Sequence, residues 1–94
     1  MARYTIRIEL HGATWDDYEE MYRHLAAQGI TDIIASDNGV SYKMPPAEYS
    51  YEGNATRTQV LEMAKSSASK VVASYAVLVT ESSGRTWHGL DKVQ

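Results

Sequence analysis

From Ala2 to Leu10 the chain alternates without a break. Tyr4, Ile6, Ile8 and Leu10 fall on one side of an extended backbone, and Arg3, Thr5, Arg7, Glu9 and His11 on the other. Such a strand enters a core by one face only. Its charged row is left to solvent or to a contact surface, and Gly12 ends it. The next stretch, ATWDDYEEMYRHLAAQG, changes period. Trp15, Tyr18, Met21, Tyr22 and Leu25 recur at helical spacing. Thr14 and Asp17 fit a capping box, and acids crowd the first turns, where the helix dipole favours them. Gly29 stands where a helix stops.

ITDIIASDNGVSYKM then reads as a hairpin. Ile30–Ser36 and Val40–Met44 flank Asn38-Gly39, a pair suited to a type I′ turn. Pro45-Pro46 breaks the ladder, since proline cannot donate a hydrogen bond. AEYSYEG beyond it either resumes a strand or forms a separate arm. NATRTQVLEMAKSSASK is a second helix capped by Asn54 or Thr56, with Thr56 and Gln59 at capping-box spacing and a narrow apolar face through Val60, Leu61, Ala64, Ala68 and Val71. SYAVLVTE is a strand with little alternation, and RTWHGL after the SSG turn is a candidate short fifth strand returning along it.

The order is β-α-β-β-α-β within a single domain of residues 1–94. That order specifies an α+β, ferredoxin-like sandwich: an antiparallel sheet with two helices on one face. Right-handed crossovers place strands one and three in its middle and leave the other face open. If Tyr75, Val77 and Val79 face the core, Ala76 and Leu78 join Arg3 and Arg7 on the open face. A mixed apolar and charged patch of that kind calls for a cover, either a second copy of the chain or the C-terminal segment.

Composition narrows the chemistry. There is no Cys, so disulfides, thiolate metal sites and Cys nucleophiles are excluded, and a cytoplasmic address is expected. No N-terminal apolar stretch reaches the length of a signal peptide or membrane span, and no membrane partner is expected. The net charge of -3 argues against coating nucleic acid non-specifically. The sequence has no P-loop, no Gly-rich dinucleotide turn, no G-x-S-x-G and no H-E-x-x-H. His11, His24 and His88 are far apart and lack metal-ligand spacing, so no metal or cofactor is expected.

The remaining candidates suit RNA. Cleavage without a metal needs a base for the 2′-hydroxyl, an acid for the leaving oxygen and a cation at the phosphate. His11 and His88 are the proton-transfer candidates, and Arg3, Arg7, Lys43 and Arg85 the phosphate contacts, provided the GRTWHGL tail folds back near the open face. Tyr49 and Tyr51 can stack on bases or pack over a sheet edge. Trp15, Tyr18 and Tyr22 read as core.

Three stretches taken together, ARYTIRIELHGATWDDYEEMY, SDNGVSYKMPPAEYSYEGNATRTQVLEMA and YAVLVTESSGRTWHGL, resemble the GhoS family of bacterial endoribonuclease antitoxins. The resemblance covers nearly the whole chain. It implies a ferredoxin-like fold, similar to the small CRISPR-associated nucleases of spacer acquisition. It also implies metal-independent cleavage of a toxin messenger RNA in a toxin–antitoxin pair. Those nucleases look to an Asp at the end of strand one; Leu10 and His11 stand there in this chain, and the nearest acid is Glu9. Two functions are therefore weighed. One is an RNA-binding endoribonuclease antitoxin. The other is a non-catalytic, homodimeric interaction module, such as a phage- or plasmid-borne inhibitor that binds another protein.

Overall fold

The computed structural model describes residues 1–93. Its elements run β1 (Ala2–Leu10), α1 (Trp15–Ala27), β2 (Ile33–Ala35), β3 (Ser41–Lys43), β4 (Glu48–Gly53), α2 (Arg57–Ser69) and β5 (Tyr75–Glu81). Both helices begin at threonines, α1 at Thr14 and α2 at Thr56, the second of the two caps its sequence offers. Thr14 accepts the Asp17 N–H at 3.3 Å while the Asp17 carboxylate accepts the Thr14 N–H at 2.9 Å. Thr56 and Gln59 repeat the arrangement at 3.1 and 2.7 Å. Two otherwise orphaned N–H groups are satisfied at each helix start. Gly29, left-handed at φ +82°, ends α1. Its N–H bonds the Ala26 carbonyl, and the Ile30 N–H reaches back to Leu25, so the chain turns with Ile30 and Leu25 both fully buried.

β1 lies in the middle of a three-stranded antiparallel sheet, with β4 on one side and β5 on the other. Tyr4, Ile6, Ile8 and Leu10 pack against Met21 and Leu25 of α1 and Val60, Ala64 and Ala68 of α2. Both helices therefore cover the same face, and the layout is α+β and ferredoxin-like. The narrow face of α2 holds one polar exception. Ser67 is fully buried, and its hydroxyl accepts a 2.7 Å bond from the Gln28 side chain, which also donates to the Met63 carbonyl. A buried hydroxyl is tolerated here because it is paired.

Three expectations are corrected. The strand beside β1 is β4, in place of the second hairpin strand. Pro45 and Pro46 cut β3 short at Lys43, and β2 and β3 form a separate two-stranded sheet. That hairpin is tied to the main sheet where Thr31 and Ser50 exchange bonds of 2.9 and 2.7 Å. Its turn is not type I′. Ser36 bonds Val40, the loop is Asp37-Asn38-Gly39, and Gly39 alone is left-handed. A three-residue loop ending in a left-handed glycine asks for one positive φ where type I′ asks for two. Finally, the tail after β5 forms no strand along it. Residues 85–90 are irregular, and the segment instead reaches β3, where Lys43 donates to Asp91 and Val93 donates to Ser41, each at 2.9 Å.

Candidate functional site

The uncovered face of the sheet is built in rows. Pairing aligns Arg3 with Glu52, Thr5 with Ser50 and Thr80, and Arg7 with Glu48 and Leu78. The charged rows neutralise themselves. Arg3 bonds Glu52 at 3.3 Å, and Arg7 lies between Glu9 at 3.2 Å and Glu48 at 3.6 Å. These are exposed pairs of small energetic worth. Their consequence is electrostatic, because two cations face three carboxylates. The neutral Thr5–Ser50 row between them is where the tail lands.

Arg85 makes that landing. Its Nε donates to the Thr5 hydroxyl at 3.0 Å, and Nη2 donates to the Tyr4 carbonyl at 2.9 Å and the Ser50 hydroxyl at 3.1 Å. Nη1 takes no part in these bonds. Every acceptor is neutral, so the guanidinium keeps its full charge. Burial, and then the proximity of Arg3, push the Arg85 pKa below its usual value, while Glu52 acts in the opposite sense. Two residues on, Trp87 meets Tyr42 of β3 edge to face, with ring centroids 5.4 Å apart. The tail is thus a strap from the end of β5, across the open face, to the hairpin.

The strap separates two hollows. On one side, a cleft of about 440 Å³ is lined by Arg3, Arg85, Tyr42, Trp87 and the small residues Ser36 and Ser83, with Asp37 at its wall. On the other, an open hollow of about 310 Å³ is bordered by Thr5, Glu48, Arg85 and the exposed His88. Arg85, Thr86 and Trp87 border both. Cations, hydroxyls and an aromatic pair in one cleft suit a phosphate joined to a flat ring. An imidazole and a carboxylate beside a guanidinium suit proton transfer near such a phosphate.

The structure therefore brings together Arg3, Arg85 and His88 and separates the other candidates from them. His11 lies exposed beyond the end of β1, sharing a 2.8 Å bond between its Nδ1 and the Ser74 hydroxyl. It stands four residues past Arg7, on the order of 13 Å along the strand. Arg7 is held between its two acids. Lys43 pairs with Asp32 at 3.4 Å and lines a different groove, of about 520 Å³, with Trp15, Tyr18, Tyr22, Pro46 and Arg23. Tyr49 and Tyr51 project from the helix-covered face of β4, opposite Ile6 and Tyr4. Tyr49 is only 6% exposed and stacks on Tyr22 at 6.2 Å. Its desolvation, with smaller contributions from Tyr18 and Asp32, pushes its pKa up to about 12.

Some of the surface has no signature in the sequence. Tyr42 and Glu48 border the two hollows, yet neither carries a motif. Their only sequence signal is position, at open-face or hairpin registers that become known once the tail is placed. Trp15, expected in the core, is 70% exposed at the first turn of α1, where it leans on Tyr18 at the rim of the aromatic groove. Tyr18 itself is turned inward, and its hydroxyl accepts the Leu10 N–H at 2.9 Å just past the end of the β1–β4 ladder.

Among the described residues, no three His, Asp or Glu side chains gather into a metal-holding group. No helix among the described residues is long and apolar enough to cross a membrane. The class defined by fold and surface is an α+β domain with a strapped, hollowed open sheet face. No family model and no curated protein sequence matches the chain.

Proposed function

We propose that the protein binds single-stranded RNA along the strap and cleaves it without a metal, as the GhoS-like motifs suggest. One observation carries the reading: the GRTWHGL segment folds back over the open face and sets Arg85 between a cleft bordered by Arg3 and an open hollow bordered by His88. In this reading the Tyr42–Trp87 pair offers a base its stacking surface, and Arg3 and the Nη1 edge of Arg85 meet a phosphate. His88 takes the proton of the 2′-hydroxyl as that oxygen attacks phosphorus. The bond from phosphorus to the 5′-oxygen breaks, and the departing oxygen is protonated from solvent or from a neighbouring acid. The products carry a 2′,3′-cyclic phosphate and a 5′-hydroxyl. His11 has no part in it.

The test uses end-labelled single-stranded RNA in excess EDTA, with wild type, His88→Ala and His11→Ala purified identically. Cleavage by wild type and His11→Ala, lost in His88→Ala with RNA binding kept, supports the assignment. Cleavage by all three removes His88 from the chemistry. No cleavage and no binding by any of them, at physiological salt, rejects the RNA reading. A second reading then stands: a non-catalytic module that binds another protein. The observation favouring it is that Arg3, Arg7 and Lys43 each already have a carboxylate partner, which leaves little free positive charge for a polyanion.

A further inference from the structure

The ladder between β1 and β5 fixes which backbone groups of β5 point outward. Ser82 donates to the Arg3 carbonyl and His11 to the Ser74 carbonyl, so residues 82 and 74 are hydrogen-bonded partners of β1. Bonding alternates along an antiparallel pair, so Thr80, Leu78 and Ala76 also bond inward. Tyr75, Val77, Val79 and Glu81 therefore turn their N–H and C=O groups away from the sheet. Among the described residues nothing takes them. The outer edge of β4 is closed at Ser50 by Thr31, and that of β3 by the tail at Asp91–Val93. β5 also lacks the usual protections of an edge: it has no Pro and no Lys, and its one charge, Glu81, sits at its end.

We infer that β5 pairs with β5 of a second copy of this chain, antiparallel about a two-fold axis at Leu78, joining the two sheets into one. The sequence of the strand is self-complementary in that register. Val77 faces Val79 of the other copy and Ala76 faces Thr80. Glu81 faces Tyr75, so no charge opposes its twin. Every outward-facing residue gains a partner with matching donor and acceptor phase. Leu78, 64% exposed on the open face, meets its own symmetry mate across the axis, where side chains of a non-hydrogen-bonded pair come closest. This gives the exposed leucine a cover that the strap, landing on the Thr5–Ser50 row, does not provide. The pairing is independent of whether the strap binds RNA.

Sedimentation equilibrium of wild type, Leu78→Lys and Leu78→Glu tests it, with circular dichroism to confirm folding. Leu78 is exposed, so both variants fold. Wild type is a dimer, and each variant alone dissociates with an affinity weakened about tenfold or more, because like charges meet at the axis. An equimolar mixture of the two variants restores the dimer as a Lys–Glu heterodimer. A monomeric wild type at high protein concentration overturns the inference. So do variants that dimerise as well as wild type, or a mixture that stays monomeric.

Discussion

Tyr49 shows how one residue can serve the fold and look like a ligand contact. In sequence it is an aromatic two positions from another aromatic, in a segment rich in turn formers. In the structure it is a buried wall of the core, packed against Tyr22. Burial holds its phenol neutral to a pKa of about 12, against an ordinary value near 10, and Tyr22 is shifted upward for the same reason. The unfolded chain gives up the Tyr49 proton near pH 10 while the folded chain keeps it, so the associated stability is complete below pH 10 and is lost as pH rises from there toward 12. The size is roughly 2–3 kcal/mol for a two-unit shift. Urea unfolding between pH 8 and pH 11.5, followed by Trp fluorescence, should show wild type losing stability across that window. Tyr49→Phe, which has no proton to lose, should flatten much of the decline, and an unchanged slope would reject the assignment. Ala47 is the other residue with a marked environment. It is the one non-glycine residue at positive φ among those described, at +67°, and its carbonyl accepts the Ile8 N–H at 2.9 Å where the β1–β4 ladder ends. That left-handed corner lets the chain leave the two prolines and enter β4 in register.

At the scale of elements, legibility followed periodicity. β1, both helices and their capping boxes were readable because each is specified by residues within a few positions of one another. The Thr31–Ser50 tie, the choice of β4 over β3 as partner of β1, and the path of the tail were not. Each depends on a contact between residues distant in sequence: the register that wins sets Tyr49 and Tyr51 beside Ile6 and Tyr4 on the core face and aligns Glu52, Ser50 and Glu48 with Arg3, Thr5 and Arg7 on the open one. Part of the candidate site is legible: the tail and the first strand point to Arg3, Arg85 and His88. Its non-charged half, Tyr42 with Ser36 and Ser83, was hidden because such residues acquire meaning only through the strap. The strap itself is testable as an element. Arg85→Gln keeps a polar head but loses the charge and the forked geometry, leaving the Thr5–Ser50 landing poorly bonded. Hydrogen exchange should then speed up at the Lys43 and Val93 amides, which bond along the tail–β3 contact, while the Ile6 and Ile8 amides stay protected. Unchanged exchange at Val93 would mean that the tail is held by Trp87 and its partners alone.

For the whole molecule, the defining property is that the central strand has no partner near it in sequence. β1 pairs with β4 and β5, and helices fill the intervals. Domains dominated by such non-local pairings fold in milliseconds to seconds, slower than helical bundles of equal length. Stopped-flow refolding should give a main phase in that range, and a microsecond main phase would contradict it. The arrangement also bears on how the chain is made. β1 leaves the ribosome ahead of both strands that pair with it, with an apolar row on one side and unpaired edges on both. It waits through roughly 65 further residues before the strand that completes it has even been joined, several seconds at ordinary translation rates. Through that interval the alternating charges of Arg3, Arg7 and Glu9 are its own protection against sticking to a neighbouring nascent chain. The row of charges that marks the finished face thus has an earlier duty, performed before there is any face to mark.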